Sequence, residues 1–398
     1  MYDHLKATIQ QRSQSQHTAL VAIRRHLHQH PELSFKEFNT AKYIARQLQP
    51  LGLEVQEGVA GTGLVVHIKG QNPTKATVAL RADIDALPIH EANDTSYKSQ
   101  NAGIMHACGH DVHTTSLIGV ARLLAGLREK FEGTVKLLFQ PAEEKIPGGA
   151  LGMIAAGALE APKPHSILGQ HVNASLPVGK VAFLPGILLG SADELYLTIQ
   201  GHGGHAATPQ RVADPILIAA HIIVALQQIV SRNSHPFLPS VLSLCQLRAG
   251  EATNVIPDTA QVAGTFRTQD EQWRQEAHQK MQTLAQGIAQ SMGGTCELTI
   301  KKGYPCLHND PALTQRARLA AEDYLGKDSV TTAEACLGAE DFAYYAQQLP
   351  GCFYYLGVQN QARGITSHVH TPTFDVDEAA LALAPGLMAW LALQELAG

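Results

Sequence analysis

The chain reads as an α/β protein, a mostly parallel sheet flanked by helices, into which a ferredoxin-like βαββαβ domain is inserted. Three observations predict this. Apolar strand-like runs alternate with helical patterns in the first half and again near the end. Between them the pattern changes to strand–helix–strand–strand–helix–strand, a complete unit of its own. The 398 residues are 45% hydrophobic, enough for one large or two ordinary cores.

The elements follow in order. Amphipathic patterns at 16–29 and 36–49 predict two helices. GLVVHIKG from 63 and ATVALRADID from 76 read as strands. TTSLIGVARLLAGL (114–127) is helical, GTVKLLFQPAEE (133–144) is a buried strand ending in acid, and a short helix at 149–159 leads to the strand SILGQHV (166–172). The inserted unit opens with the alternating strand ELYLTIQG (194–201). A long helix at 214–232 starts on Asp214 and Pro215, a cap residue followed by the residue favoured in a first turn. Strands at 240–250 and 258–269, a helix at 270–294 closed by glycines, and a strand at 295–303 complete it. A helix at 310–325, the strand CFYYLGV (352–358) and a helix from 377 resume the first pattern. The expected domains are therefore 1–189 and 304–398 for the larger unit and 190–303 for the insert.

Composition narrows the function. The net charge is −5, with no basic block and no interleaving of aromatic and basic residues, so nucleic acid is not expected as a partner. The polar start MYDHLKATIQQRSQSQ lacks a signal-peptide core, and with no run of 18 apolar residues no membrane span or membrane partner is expected. Six widely spaced cysteines form no disulfide framework and fit a reducing cytoplasm.

The densest chemistry is HACGHDVH, from residue 106. Side chains two apart in an extended segment share a face, so Cys108 and His110 converge there, with His106 and Asp111 as rivals or supports. Cys-x-His alone is a weak metal signal. It gains weight from Glu143 and Glu144 after one strand, His171 at the end of another, and His368 and His370 in a late loop. In a parallel sheet the strand C-termini line one crevice. Adjacent acids there repel each other unless a cation or a proton shields one.

MHACGHDVHTTSLIG, FQPAEE, GHGGHAATP, DPI, NVIPD, GTFR, GAEDFAYY and HTPTFD occur in this order. The series resembles a family of metal-dependent amidohydrolases that holds hippurate hydrolases, N-acyl-amino-acid amidohydrolases and auxin-conjugate hydrolases. It is a branch of the aminoacylase and carboxypeptidase-type dinuclear metallopeptidases. The resemblance covers roughly residues 16 to 392.

The resemblance implies two divalent metal ions per subunit (Zn, Mn or Co), with Cys108, His110, Glu144, His171 and His370 as ligands. It implies Glu143 as general base and His205, on the inserted lid, as donor to the oxyanion. Asn254 and Arg267 are expected to hold a substrate carboxylate, for which an amide and a guanidinium fork are suited. It further implies a homodimer formed through the lid.

Two departures stand out. Related peptidases carry a histidine ligand where this chain has Arg81, and Asp83 and Asp111 are then expected to orient ligands or neighbours. Where relatives continue PAEE with glycines, this chain has Lys145 and Pro147, which bears on substrate size. The expected activity is hydrolysis of an N-acyl-L-amino acid, hippurate-like or N-acetylated. The alternatives are a dipeptidase, an N-acetyl-diaminopimelate deacetylase, and a catalytically silent dimeric metal-binding module.

Overall fold

The computed structural model describes residues 2–398 in two compact units. The first comprises residues up to Leu188 with His308–Glu334 and Asp341–Gly398; the second comprises Leu189–Leu307 with Ala335–Glu340.

The first unit begins with helices α1 (Lys6–Ser15), α2 (His17–Gln29) and α3 (Phe38–Leu48). Strands β1 (Glu54–Val59), β2 (Gly63–Lys69) and β3 (Thr77–Asp83) follow, then α4 (His110–Ala125), β4 (Thr134–Gln140), α5 (Gly149–Ala155), β5 (Ser166–Pro177) and β6 (Val181–Phe183). The chain leaves this unit within β7 (Gly186–Leu189).

The second unit holds β8 (Ser191–Gln200), β9 (Gly204–His205), α6 (Pro215–Gln228), β10 (Ser240–Ala249), β11 (Val255–Ile256), β12 (Thr259–Thr268), α7 (Glu271–Ser291) and β13 (Thr295–Lys302). After β14 (Leu307–Asn309), the first unit resumes with α8 (Pro311–Leu325), β15 (Val330–Thr332), α9 (Phe342–Ala346), β16 (Gly351–Gln359) and α10 (Ala380–Ala397).

The large sheet has the order β1-β2-β4-β3-β5-β16-β6-β15. The centre β4-β3-β5-β16 is parallel throughout, while β1/β2, β2/β4 and β16/β6 pair antiparallel. β3 and β4 are buried at every position, which requires cover on both faces. Helices α4 and α10 pack on β3 and on each other; α5 packs on β4, and α9 on β5 and β16. An open α/β sheet of this kind lines up the C-terminal ends of its parallel strands along one edge, and the candidate metal ligands lie at or near that edge.

The second unit is a four-stranded antiparallel sheet, β10-β12-β8-β13, the spatial order of a ferredoxin-like βαββαβ unit. Its helices α6 and α7 bury Ile218, Ile222, Leu226, Ala277 and Met281 against Leu195, Leu197, Ile199 and Val262. Asp214 caps α6 through bonds from the Ile216 and Leu217 N–H groups, with Pro215 at the first turn.

Three readings need correction. The helix expected from Thr114 starts at His110, so HACGHDVH is not extended. Gly109 turns the chain at φ 80°, a conformation with little steric cost only for glycine, and a Cβ there would sit 2.5 Å from Val172 Cγ2. His171 lies inside β5 rather than at its end, just beyond the stretch paired with β3. Finally, two helical stretches, Pro215–Asn233 and Ala380–Ala397, are long and apolar enough to cross a membrane, although neither is an uninterrupted apolar run. In Ala380–Ala397, 72% of the span is buried in the protein, as expected of a core helix.

Candidate metal centre and catalytic residues

The metal ligands expected from the sequence come from segments after or within adjacent parallel strands. Cys108 and His110 lie between β3 and α4, Glu144 follows β4, His171 is on β5, and His370 lies in the loop after β16. Cys108 is buried, with its Sγ 3.4 Å from His171 Nε2. Glu144 Oε1 is 3.2 Å from His370 Nε2 and 3.8 Å from His110 Nε2. Donor atoms of Cys108, His110 and His171 lie within 4.8 Å of one another, as do those of Cys108, Glu144 and His370. Cys108 thus belongs to both groups. His110 and Glu144 form a further group with Glu143. His368 belongs to no such group among the described residues, although it shares the loop with His370.

The ring tautomers follow from the outer contacts. His110 Nδ1 donates to the Asp85 carbonyl at 2.9 Å, and His171 Nδ1 donates to the Val172 carbonyl at 2.7 Å. Nε2 of each ring is therefore the nitrogen left for a cation, which at His110 takes the place of the proton that the surrounding carboxylates favour there. His113 is held differently. Its Nε2 accepts the Val172 N–H, and its Nδ1 donates to Asp83 at 2.6 Å. Both of its nitrogens are used, which removes it from the donor set.

The residues fit a metal centre. His110 Nε2 and Glu144 Oε1 are buried and make no hydrogen bond among the described residues. An unsatisfied buried polar atom costs about 1–3 kcal/mol, so two at one point indicate a missing partner. That partner is a cation, because negative charge accumulates here. Burial, with Glu144, Glu143 and Asp83 nearby, drives the Cys108 thiol well above its usual range. Burial opposes charge on His110, yet Asp83, Asp85 and Glu144 carry its pKa up to about 10. Burial lowers His171 to about 4, so this ring is neutral and ready to ligate.

Glu143 is buried beside these donors. The turn that presents it is built by Asp85, which the sequence reading passed over. Asp85 Oδ1 accepts the Glu143 N–H at 3.0 Å and stands 3.2 Å from His110 Nδ1; its Oδ2 accepts the Glu144 N–H at 3.0 Å and the Ser34 hydroxyl at 2.7 Å. A single carboxylate thus orients both glutamates and a ligating ring. The signal was present in RADIDALP, where Asp85 stands two residues after Asp83. Ala142 precedes Glu143 at φ 54° and gives its N–H to Glu37 at 2.8 Å, which fixes the entry to the turn.

The two acids expected to orient ligands behave differently. Asp83 bonds Arg81 and His113 and is 3.7 Å from His110 Nδ1, so it braces the ring cluster. Asp111 points elsewhere, to Arg24 and His28, because it sits on another side of the first turn of α4 from His110. Arg81 is buried against Asp83, Asp341 and Gln140 and takes no ligand role.

In the second unit, β9 and β11 pair with His205 opposite Val255, and the Ala206 N–H bonds the Asn254 carbonyl. His205 and Asn254 therefore share one exposed ribbon. His205 Nδ1 accepts the Ala207 N–H at 3.0 Å, which leaves the proton of the neutral ring on Nε2, a donor. Asp258, whose carboxylate binds the Gly203 N–H, precedes one end of β12, and Arg267 lies at the other. Nine strand residues span about 30 Å. Arg267, whose Nη1 donates to the Leu337 carbonyl at 3.2 Å, cannot share one carboxylate with Asn254 of the same chain. This corrects the expected pairing.

Residues 79–392 match peptidase family M20/M25/M40. The chain is 41% identical to N-acetylcysteine deacetylase from Bacillus subtilis (strain 168), over 95% of this chain and 97% of that one. It is 38% identical to IAA-amino acid hydrolase ILR1-like 4 from Arabidopsis thaliana, over 95% and 86%. Among solved structures it resembles a dinuclear metal-binding peptidase from Bacillus subtilis, at 38% identity and a TM-score of 0.84, over 96% and 99% of the two chains.

Proposed function

The chain belongs to peptidase family M20/M25/M40 and is a metal-dependent amidohydrolase, and from that premise we propose that it cleaves the amide bond of N-acyl-L-amino acids, either N-acetylated or hippurate-like. The observation that carries the reading is the convergence of five donors with Glu143 beside them. When held by Cys108, His110, Glu144, His171 and His370, two divalent ions, with zinc, manganese and cobalt as the candidates, acidify a water and polarise an amide carbonyl.

Glu143 then takes the proton of the attacking water on a carboxylate oxygen and returns it to the amide nitrogen. The C–O bond forms first, placing the carbonyl electron pair on the oxyanion; that pair then re-forms the carbonyl as the C–N bond breaks to the protonated nitrogen, giving a carboxylic acid and a free amino acid. The turn held by Asp85 aims Glu143 and Glu144 together, so one can move a proton while the other ligates.

We also propose that the protein works as a homodimer through the second unit, with His205 stabilising the oxyanion in the partner's site. Exposed Ile216, Leu217 and Val224 on α6 and the free edge strand β10 support a second copy there. The separation of Arg267 from the His205–Asn254 ribbon fits the two groups serving different sites.

The test is a substrate panel of N-acetyl-cysteine, benzoyl-glycine, N-acetyl-diaminopimelate and a plain dipeptide, assayed with each metal on wild type, Glu143→Gln and Glu144→Gln. Glu143→Gln should keep its metal and lose at least about 10²-fold in kcat. Glu144→Gln should lose metal. Preference for the dipeptide, or the opposite behaviour of the two variants, would overturn the reading.

A further inference from the structure

Arg24 on α2 is completely buried, although a guanidinium out of water is costly unless every side of it is partnered. Its Nε donates to Asp111 at 2.8 Å. Nη2 donates to Asp375 at 3.2 Å, and Nη1 reaches Glu378 at 3.5 Å. Neighbours lock the same carboxylates. His28, one turn on along α2, lies 2.8 Å from Asp111 through Nδ1 and 3.2 Å from Glu91 through Nε2. Tyr97 donates its hydroxyl to Asp375 at 2.7 Å, and its ring lies 4.9 Å from the Arg24 guanidinium and 4.8 Å from that of Arg25. Arg25 in turn grips Glu378 at 2.6 Å and 2.8 Å.

The positions of these carboxylates along the chain matter. Asp111 directly follows His110 in the first turn of α4. Asp375 lies in the loop that carries His370. The two segments also meet directly, through the His370 N–H on the Ala107 carbonyl at 2.7 Å. His370 is held at φ 62°, in the left-handed region that a residue with a Cβ adopts only when its surroundings compel it. Arg24 touches none of the donors, yet it binds both segments that present them.

We propose that Arg24 is a positioning residue of the metal centre: by clamping Asp111 and Asp375 it holds His370 in register with Cys108 and His110. The inference rests on reading that cluster as a metal centre. It predicts an unequal effect on two ions. The group of Cys108, Glu144 and His370 depends on the clamped loop, whereas in that of Cys108, His110 and His171 the His110 ring is also held by Asp85 and His171 lies inside β5.

The test titrates chelator-stripped protein with Co²⁺ by calorimetry, for wild type, Arg24→Lys and Asp375→Asn, and records the thermal unfolding of each metal-free form. Arg24→Lys keeps the charge but loses the fork. Both variants should remain folded and bind one ion as the wild type does. The other should weaken about 10- to 100-fold, the scale of losing an outer contact that orients a ligand. If Arg24→Lys does not fold, Asp375→Asn, at a site still 17% exposed, gives the same reading. Wild-type affinity for both ions in either folded variant overturns the clamp. Equal weakening of both ions in step with lost stability also overturns it and leaves Arg24 a structural ion pair. A wild-type chain that binds no Co²⁺ overturns the metal centre itself, and the clamp with it.

Discussion

Replacing Asp85 by asparagine changes one atom and tests how the site is built. The carboxylate accepts four contacts, from His110 Nδ1 and the Glu143 N–H on one oxygen and from the Glu144 N–H and the Ser34 hydroxyl on the other. An amide must place its NH₂ on one side or the other. Facing His110 and Glu143 it would meet two donors. Facing Glu144 and Ser34 it meets only one obligate donor, because the serine hydroxyl can rotate to accept. The second orientation is therefore favoured, and the Glu144 N–H loses its acceptor. A hydrogen bond to a charged group contributes about 1.5–3 kcal/mol. The buried N–H left behind should move the Glu144 turn. Metal affinity should fall about 10- to 100-fold through misplacement of Glu144, and kcat should fall with it. Calorimetric metal titration and steady-state kinetics on the stripped and reloaded variant measure both. Unchanged affinity and turnover in Asp85→Asn would refute the claim that this carboxylate organises the site.

Two further outcomes follow. In the second unit, burial raises the Asp193 pKa, but Arg274 and His278 overcome it and hold Asp193 at about 2. The unfolded chain then binds more protons between pH 3.8 and 2, so stability is fully present above 3.8 and is lost as pH falls, by on the order of 2 kcal/mol; denaturant melts across that window should show the loss, and Asp193→Asn should remove this slope. If His205 acts in the partner's site, mixing the inactive His205→Ala and Glu143→Gln variants with subunit exchange should restore one working site per mixed dimer; demonstrated exchange without activity would place His205 outside catalysis or in its own chain's site.

The elements were legible in the sequence because each is written in near neighbours. The alternation in ELYLTIQG and the Asp–Pro start of α6 act within a few residues, and both appear where expected. The start of α4 is not legible locally, because the turn at Gly109 is confined by Val172, a contact that no local pattern records. The donors were legible as residue types, since cysteine, histidine and glutamate near strand ends have few other reasons to cluster. Their supports were not. Asp85 acts on residues 58 and 59 positions away, and Arg24 on residues 87 and 351 away. Sequence also placed Asn254 and Arg267 on one substrate group, whereas the register of β12 sets them far apart. Local conformational preference determined which segments become helix or strand. Which side chains meet was decided by the order of strands in the sheet, because only the closed fold brings distant parts of the chain within hydrogen-bonding reach.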